Sequence, residues 1–398
     1  EYADAVATEI IMKKTRIISI LLVLCVIVAS VFALTACLGN DDGGEFDPES
    51  AKIALLVNGT LGDKSFFDSA YEGLKQIKAA YPNTTVKAIE MGTDSTKFRS
   101  FVDDACEEYD IIIMGTWQMY NHMAYATVEY PDKKFILFDY AGDFSDGKGA
   151  NNLYSIEFKQ NQVAFLGGVL AAQIANDASL PLSNATKKLG FIGGADSPII
   201  KDFLVGFIEG VHYADPNFDA SKPANDPANA NKITVQSSFI GTFLDPTRAK
   251  DQANILYDKG CDLVFAAASQ AGLGALDAAV ENNKYYLACD SDQIKLFADQ
   301  PAKQRYIVGS VLKKVDVALF RAFEKIVNGE MQWGTNERVG FDEDCIGFIG
   351  YNSDIPQSMI DFVEETEAKL RAGQITVTTA IGSGADMSIV DGIIAAAK

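Results

Sequence analysis

Carboxylates, glycines and aromatic rings gather in the loops that follow apolar runs of this 398-residue chain. Phe66 and Phe243 are two such rings, and Asp139 and Asp290 are carboxylates at the ends of apolar runs. Glycines in the same loops let the backbone approach a ligand closely. Together these residue types predict a binding site for a small polar ligand that has a flat ring and hydroxyl groups.

Motifs for hydrolysis, phosphate binding and metal binding are missing from the sequence. It contains no GxSxG elbow, no GxxxxGK[ST] phosphate loop and no HExxH zinc motif. Histidine occurs only at His122 and His212, and the six cysteines form no CxxC pair. We therefore expect no bound metal, no cofactor and no zinc- or histidine-based catalysis, and we favour a binding protein over an enzyme, with carboxylate chemistry as the open alternative.

The charge of the chain restricts its partners. Lys and Arg number 34 against 54 Asp and Glu, which gives a formal net charge of -20. Because an acidic surface repels a phosphate backbone, we do not expect nucleic acid as a partner. The 48% of hydrophobic residues is typical of a globular protein.

Alternating strands and helices must position these loops. Short apolar runs predict the strands, and stretches with apolar residues at helical spacing predict helices between them, including a closely packed one with small residues at 167–168 and 171–172. The alternation predicts an α/β protein with parallel sheets, in which ligands bind beyond the carboxyl ends of the strands. The predicted strands are residues 51–57, 110–114, 134–139, 189–192, 262–267 and 285–289.

The N-terminal segment has the pattern of a secretory signal. A short basic region at residues 12–16 precedes an almost uninterrupted apolar run at residues 17–33. The run ends in Leu34-Thr35-Ala36-Cys37, which resembles a bacterial lipobox. We predict that residues 1–36 are an upstream extension plus a lipoprotein signal peptide, that Cys37 is lipidated, and that residues 37–50 are a flexible tether.

This pattern predicts a protein anchored by lipid to the cell membrane, on its extracytoplasmic face, with the membrane as a partner through Cys37. Residues 1–11 precede the basic region and fit no part of a signal, so we assign them to the extension. The alternative is a transmembrane anchor, but the apolar run is shorter than the ~20 residues of a comfortable span.

Ordered motifs run through the body of the chain. They include Gly62-Asp63-Lys64-Ser65-Phe66, Phe165-Leu166-Gly167-Gly168, Gly241-Thr242-Phe243-Leu244-Asp245-Pro246, Cys289-Asp290-Ser291-Asp292-Gln293 and Gly309-Ser310-Val311-Leu312-Lys313. In this order and spacing, residues 52–328 resemble the basic membrane protein family. These are lipid-anchored substrate-binding proteins of ABC transporters, typified by purine nucleoside receptors.

The resemblance implies a type I periplasmic-binding-protein fold, in which two doubly wound parallel-sheet lobes are joined by three crossings and enclose a ligand cleft. We expect lobe 1 to comprise residues 51–157 with 290–328, and lobe 2 to comprise residues 158–289 with 329–398. A strand at 347–349 and a helix at 355–370 would belong to lobe 2. The implied function is to bind a nucleoside, of the purine class, and to deliver it to ABC permease subunits.

The family's ligand contacts carry over by position. Phe66 and Phe243 would stack on the two faces of a purine. Asp139 would accept hydrogen bonds from the base. Asp290 and Lys313 would hold the ribose hydroxyls by charge-assisted hydrogen bonds.

Two further expected ligand-binding residues depart from the family pattern. Asn58 stands where relatives commonly have Asp, and Phe67 stands where they have Asn. These changes leave open a sensor or surface lipoprotein that keeps the fold without transport. Another alternative is an extracytoplasmic enzyme acting on nucleosides or related sugars, with Asp139 and Asp290 as acid and base.

Overall fold

Two six-stranded sheets form the framework of the protein. The computed structural model describes residues 46–398, so the predicted signal peptide, the lipobox and Cys37 lie outside the described residues. The first sheet has the order β11-β5-β4-β3-β1-β2 and the second the order β12-β10-β9-β8-β6-β7. These strands are β1 Lys52–Val57, β2 Thr85–Glu90, β3 Ile111–Gly115, β4 Lys134–Phe138, β5 Leu153–Phe158, β6 Lys188–Gly193, β7 Thr234–Phe239, β8 Leu263–Ala267, β9 Tyr285–Asp290, β10 Ile307–Lys313, β11 Thr335–Val339 and β12 Ile346–Ile349.

Helices connect the strands and cover the sheets. They are α1 Phe66–Ala80, α2 Phe98–Glu108, α3 Tyr120–Glu129, α4 Gln160–Asn176, α5 Pro198–Ala214, α6 Pro246–Asp258, α7 Gly272–Asn282, α8 Gln293–Leu296, α9 Pro301–Gln304, α10 Val315–Val327, α11 Gln357–Arg371 and α12 Met387–Ala396. Within residues 46–398, all strand pairs are parallel except β10 with β12, which is antiparallel. The predicted α/β class and its type I periplasmic-binding-protein architecture are confirmed.

The interior strand β1 shows why its sequence is a continuous apolar run. Successive side chains of a strand point to opposite faces. Ile53 and Leu55 pack in the core cluster that contains α1 and α10, whereas Ala54 and Leu56 pack in the cluster that contains α2 and α3. Both faces are therefore buried, as expected for a parallel sheet between helices.

The chain passes between the sheets three times, as the resemblance implied. The passages follow β5, follow β10, and lie between β11 and β12. We call the first sheet with its helices lobe 1 and the second lobe 2. The expected strand at 347–349 and helix at 355–370 are present in lobe 2 as β12 and α11.

The lobe boundaries differ from our expectation at two strands. Residues 307–313, expected in lobe 1, pair with β9 in the second sheet. Residues 335–339, expected in lobe 2, pair with β5 in the first sheet. The composition of a short run predicts a strand but does not identify its neighbour, so the order of the strands along the chain misled the assignment.

The C-terminal segment lies along α5. Glu209 accepts hydrogen bonds from the backbone N–H and the hydroxyl of Thr378, at 2.8 and 2.7 Å. Asp202, which is fully buried, accepts one from the N–H of Ala380 at 2.7 Å. Burial raises the pKa of Asp202 to about 6. Two carboxylates of α5 thus fix a segment whose sequence gave no pattern to place it.

Candidate ligand-binding site

A cavity of about 890 Å³ lies between the carboxyl ends of the two sheets. Segments after β1, β2, β3 and β4 line it from lobe 1, and segments after β6, β7 and β8, with the ends of β9 and β10, line it from lobe 2. This is where parallel sheets place their ligand sites. Its volume is in the upper range of small-molecule pockets, about 300 to 1,000 Å³.

The structure brings all seven residues predicted to bind ligand to this one cavity. They are Asn58, Phe66, Phe67, Asp139, Phe243, Asp290 and Lys313. Sequence reasoning missed Phe203, which lines the cavity but was assigned only to the apolar stripe of α5. The sequence could have indicated its position, because α5 begins just after β6. The first turns of α5 therefore lie beside the carboxyl end of that strand, where ligands bind.

Four residues that line the cavity have strained backbone conformations. Thr116, Asp139, Ser269 and Asp290 have φ angles of 73°, 63°, 47° and 66°. All four lie within two residues of a strand end. A left-handed conformation costs a non-glycine residue roughly 1–2 kcal/mol. Such strain is typical of functional sites that the surrounding structure holds in place.

A buried ion pair connects the lobes at the base of the cavity. The Lys313 ammonium Nζ lies 2.6 Å from Asp139 Oδ1, and the two side chains are only 2% and 8% exposed. The ammonium also lies 5.6 Å from the ring centre of Phe66 and 4.9 Å from that of Phe203. Lys313 is thus held by one carboxylate and by aromatic faces that favour a cation.

Asp290 is the second buried carboxylate near this ammonium. Its Oδ2 accepts a hydrogen bond from the Ser65 hydroxyl at 2.6 Å. Burial raises the pKa values of Asp290 and of Asp139, while the positive charge of Lys313 opposes both shifts. Among the described residues that line the cavity, Lys313 is the only cation, against the carboxylates of Asp139, Asp245 and Asp290.

The aromatic rings of the cavity are fixed by their neighbours. Phe66 packs against Phe67 and Phe138, with ring centres 5.2 and 5.4 Å apart. The ring of Phe243 lies against the backbone of Gly194, where an added Cβ would be only 2.2 Å from its Cε1. Trp117 of lobe 1 meets Phe243 edge-on at 5.9 Å. Aromatic surface from both lobes therefore contributes to the lining.

Asn58 presents an unused hydrogen-bond acceptor in the cavity. Its amide nitrogen donates to Gln118 Oε1 at 2.8 Å and to Thr116 Oγ1 at 3.3 Å. Its Oδ1 is buried and has no protein partner. Since a buried acceptor without a partner is costly, this atom is suited to an N–H or O–H group of a ligand.

Neither a metal-binding cluster nor a helix able to span a membrane occurs among the described residues. No group of three or more His, Cys, Asp or Glu side chains there is arranged to hold a metal ion. None of the helices within residues 46–398 is long and apolar enough to cross a membrane.

Two lobes with a cavity at the carboxyl ends of their sheets are the architecture of the type I periplasmic-binding class. The family model described as "ABC transporter substrate-binding protein PnrA-like" (Bmp) matches residues 50–379, so the chain belongs to this family. The family resemblance inferred from the sequence motifs is thereby confirmed.

Similar proteins agree with this assignment. Basic membrane protein D of Borreliella burgdorferi is 25% identical over 79% of this chain and 83% of its own length. The CD4+ T-cell-stimulating antigen of Listeria innocua is 27% identical over 89% of this chain and 97% of its own. A solved ABC transporter solute-binding protein from Aeropyrum pernix has a TM-score of 0.70 at 23% identity and covers 87% of this chain and 99% of its own.

Proposed function

We propose that this member of an ABC transporter substrate-binding family is the receptor for a nucleoside, of the purine class, which it delivers to a permease. The observation that carries the proposal is the cavity, in which aromatic rings and charged groups meet. Phe66 and Phe243 provide flat apolar surfaces for a base. Asp290, Asp139 and Lys313 provide the acceptors and donor that hydroxyl groups require.

The charge of the cavity favours a nucleoside over a nucleotide. Three carboxylates against one ammonium leave an excess of formal negative charge in the cavity, where Asp139 and Asp290 are buried. A phosphate group would have to enter this space against like charges, which interact strongly where water is excluded. The receptor function needs no chemical step, since a ligand that binds the closed form better shifts the lobes toward closure.

Isothermal calorimetry on the protein from residue 46 tests this proposal. We expect inosine, guanosine or adenosine to bind, cytidine to bind more weakly because its ring is smaller, and ribose alone to bind least. Inosine monophosphate should bind at least about 10-fold more weakly than inosine because of the like charges. Absence of heat, and of any melting shift, with all three purine nucleosides would reject the nucleoside proposal.

One observation keeps an enzymatic alternative open. Burial raises the pKa values of both Asp139 and Asp290, as a general acid requires. The ion pair between Asp139 and Lys313, at 2.6 Å, argues against this enzymatic role. Chromatographic detection of free base released from a nucleoside by the purified protein would favour the enzyme.

Lipid anchoring at Cys37 is a separate part of the proposal, supported by the apolar run and the lipobox-like Leu34-Thr35-Ala36-Cys37. In a bacterial host fed labelled palmitate, the full chain should incorporate label and sediment with membranes. Cys37→Ala should lose the label, whereas Cys25→Ala, which changes a cysteine inside the apolar run, should keep it. Equal labelling of both variants would contradict the proposed anchor site.

A further inference from the structure

Two hydrogen bonds join the lobes in a reciprocal way beside the cavity. In each, one lobe supplies a serine hydroxyl and the other a carboxylate. The two pairs are Ser65 Oγ of lobe 1 with Asp290 Oδ2 of lobe 2, at 2.6 Å, and Ser269 Oγ of lobe 2 with Asp63 Oδ2 of lobe 1, at 2.8 Å. We call these four residues the clasp.

The start of α1 is arranged so that Ser65 is available to the other lobe. Ser65 occupies the N-cap position, where a serine ordinarily bonds the first free N–H groups of its own helix, but it makes no such bond. Asp63 does so instead, accepting from the N–H groups of Phe67 and Asp68, each at 3.0 Å. The hydroxyl of Ser65 is thereby released to reach Asp290.

Ser269 is held in place with comparable specificity. Its φ of 47° is strained for a residue with a side chain. Its hydroxyl reaches Asp63, which is 1% exposed and which also caps α1. The residue that fixes the start of the Phe66 helix therefore accepts a hydrogen bond from the opposite lobe.

Further contacts surround the clasp. The Ser291 hydroxyl donates to the carbonyl of Ser65 at 3.0 Å, and Lys64 Nζ donates to the carbonyl of Leu296 at 3.1 Å. The loop from Gly62 to Ser65 is itself ordered, because Asp68 accepts from the N–H groups of Gly62 and Lys64 at 2.7 and 2.8 Å. A preorganised loop of lobe 1 thus sits against lobe 2.

We propose that the clasp couples lobe closure to the grip on the ligand. Ser65 occupies one oxygen of Asp290 and so orients the carboxylate that faces the cavity. Ser269, acting through Asp63, ties the helix that carries Phe66 to lobe 2. Ser65 and Ser269 are positioning residues: Ser65 does not line the cavity, and Ser269 lines it but donates its hydroxyl to Asp63. Separating the lobes breaks both bonds, so the clasp slows release of a bound ligand.

Ser65→Ala and Ser269→Ala test the clasp by stopped-flow kinetics with the purine nucleoside that binds most tightly in calorimetry. Because a hydrogen bond to a charged group is lost, each variant should release the nucleoside about 10-fold faster, with an unchanged association rate. Ser238→Ala is the matched control, since its hydroxyl donates to Gln252 Oε1 at 3.0 Å within lobe 2. Release at the wild-type rate from both clasp variants would overturn the inference.

The kinetic experiment rests on the proposed function, because it needs a bound nucleoside. A second measurement tests the clasp without a nucleoside. Small-angle X-ray scattering of the protein without ligand should give a larger radius of gyration for the Ser65→Ala, Ser269→Ala double variant than for wild type or Ser238→Ala. An unchanged radius would overturn the clasp. If no nucleoside binds, the receptor proposal fails and the scattering result alone decides on the clasp.

Discussion

Replacing Lys313 by methionine should abolish measurable nucleoside binding and lower the free energy of unfolding by about 3 to 5 kcal/mol. Lys313 is 2% exposed and its ammonium lies 2.6 Å from Asp139 Oδ1. Methionine keeps the length of the side chain but leaves Asp139 buried without a counter-charge. Asp290 loses the same neutralising charge. Calorimetry with inosine and urea unfolding measure the two effects.

The destabilisation should also depend on pH in a defined direction. Burial already raises the pKa of Asp139 above 3.8, and loss of Lys313 removes the charge that opposes this shift. A carboxyl group whose pKa is higher in the folded than in the unfolded state binds its proton more tightly when folded. The free energy of unfolding therefore falls as the pH rises from the unfolded-state pKa of Asp139 through its folded-state pKa. Lys313→Met should lose more stability, relative to wild type, at about pH 8 than at about pH 4.

The neighbouring lysine provides the control. Lys314 Nζ lies 2.7 Å from Asp344, but these side chains are 26% and 69% exposed. Lys314→Met should therefore cost less than about 1 kcal/mol. The double variant Asp139→Asn, Lys313→Met removes both charges and should recover much of the stability without recovering binding. Equal losses from Lys313→Met and Lys314→Met would contradict a role for the buried pair.

Local sequence pattern was sufficient to predict the α/β class and the position of the cavity. Strands buried on both faces read as short apolar runs, and their carboxyl ends meet at one edge of a sheet, so Asp139 and Asp290 were expected there. Small residues likewise predicted a helix that approaches the sheet closely, and a Cβ on Gly167 would lie 2.9 Å from the side chains of Leu287 and Val311 in that sheet. In the structure a Cβ on Gly168 would lie 2.1 Å from the backbone oxygen of Phe207, which confirms that α4 and α5 touch along their backbones.

Features that depend on pairing between distant segments were not predicted. Nothing in the composition of residues 307–313 or 335–339 states which sheet they join. The same limit applies inside the site. The resemblance grouped Lys313 with Asp290, whereas the ion pair is made with Asp139, 174 residues away in the chain. The hydrogen bond from the Ser65 hydroxyl to Asp290 was not predicted either. A serine before a helix ordinarily caps that helix.

Replacing Phe243 by alanine should weaken nucleoside binding about 10- to 100-fold, since stacking of a base on an aromatic ring contributes roughly 1–3 kcal/mol. Phe243 is a cleaner test than Phe66, which is 7% exposed and packs into the core with Phe138, so its loss would also destabilise lobe 1. Phe243 is only partly buried, and its ring lies on Gly194. Calorimetric titration of inosine into wild type and into the variant measures the change in affinity.

Phe239 is the matched control for this substitution. It is a partly buried ring of the same lobe that lies on the adjacent Gly193, where an added Cβ would be 2.6 Å from its Cδ1. Unlike Phe243, it does not line the cavity. Phe239→Ala should therefore lower the melting temperature without changing nucleoside affinity. Equal affinities of the two variants would mean that Phe243 does not stack on the base, and the aromatic part of the proposed recognition would then rest on Phe66 alone.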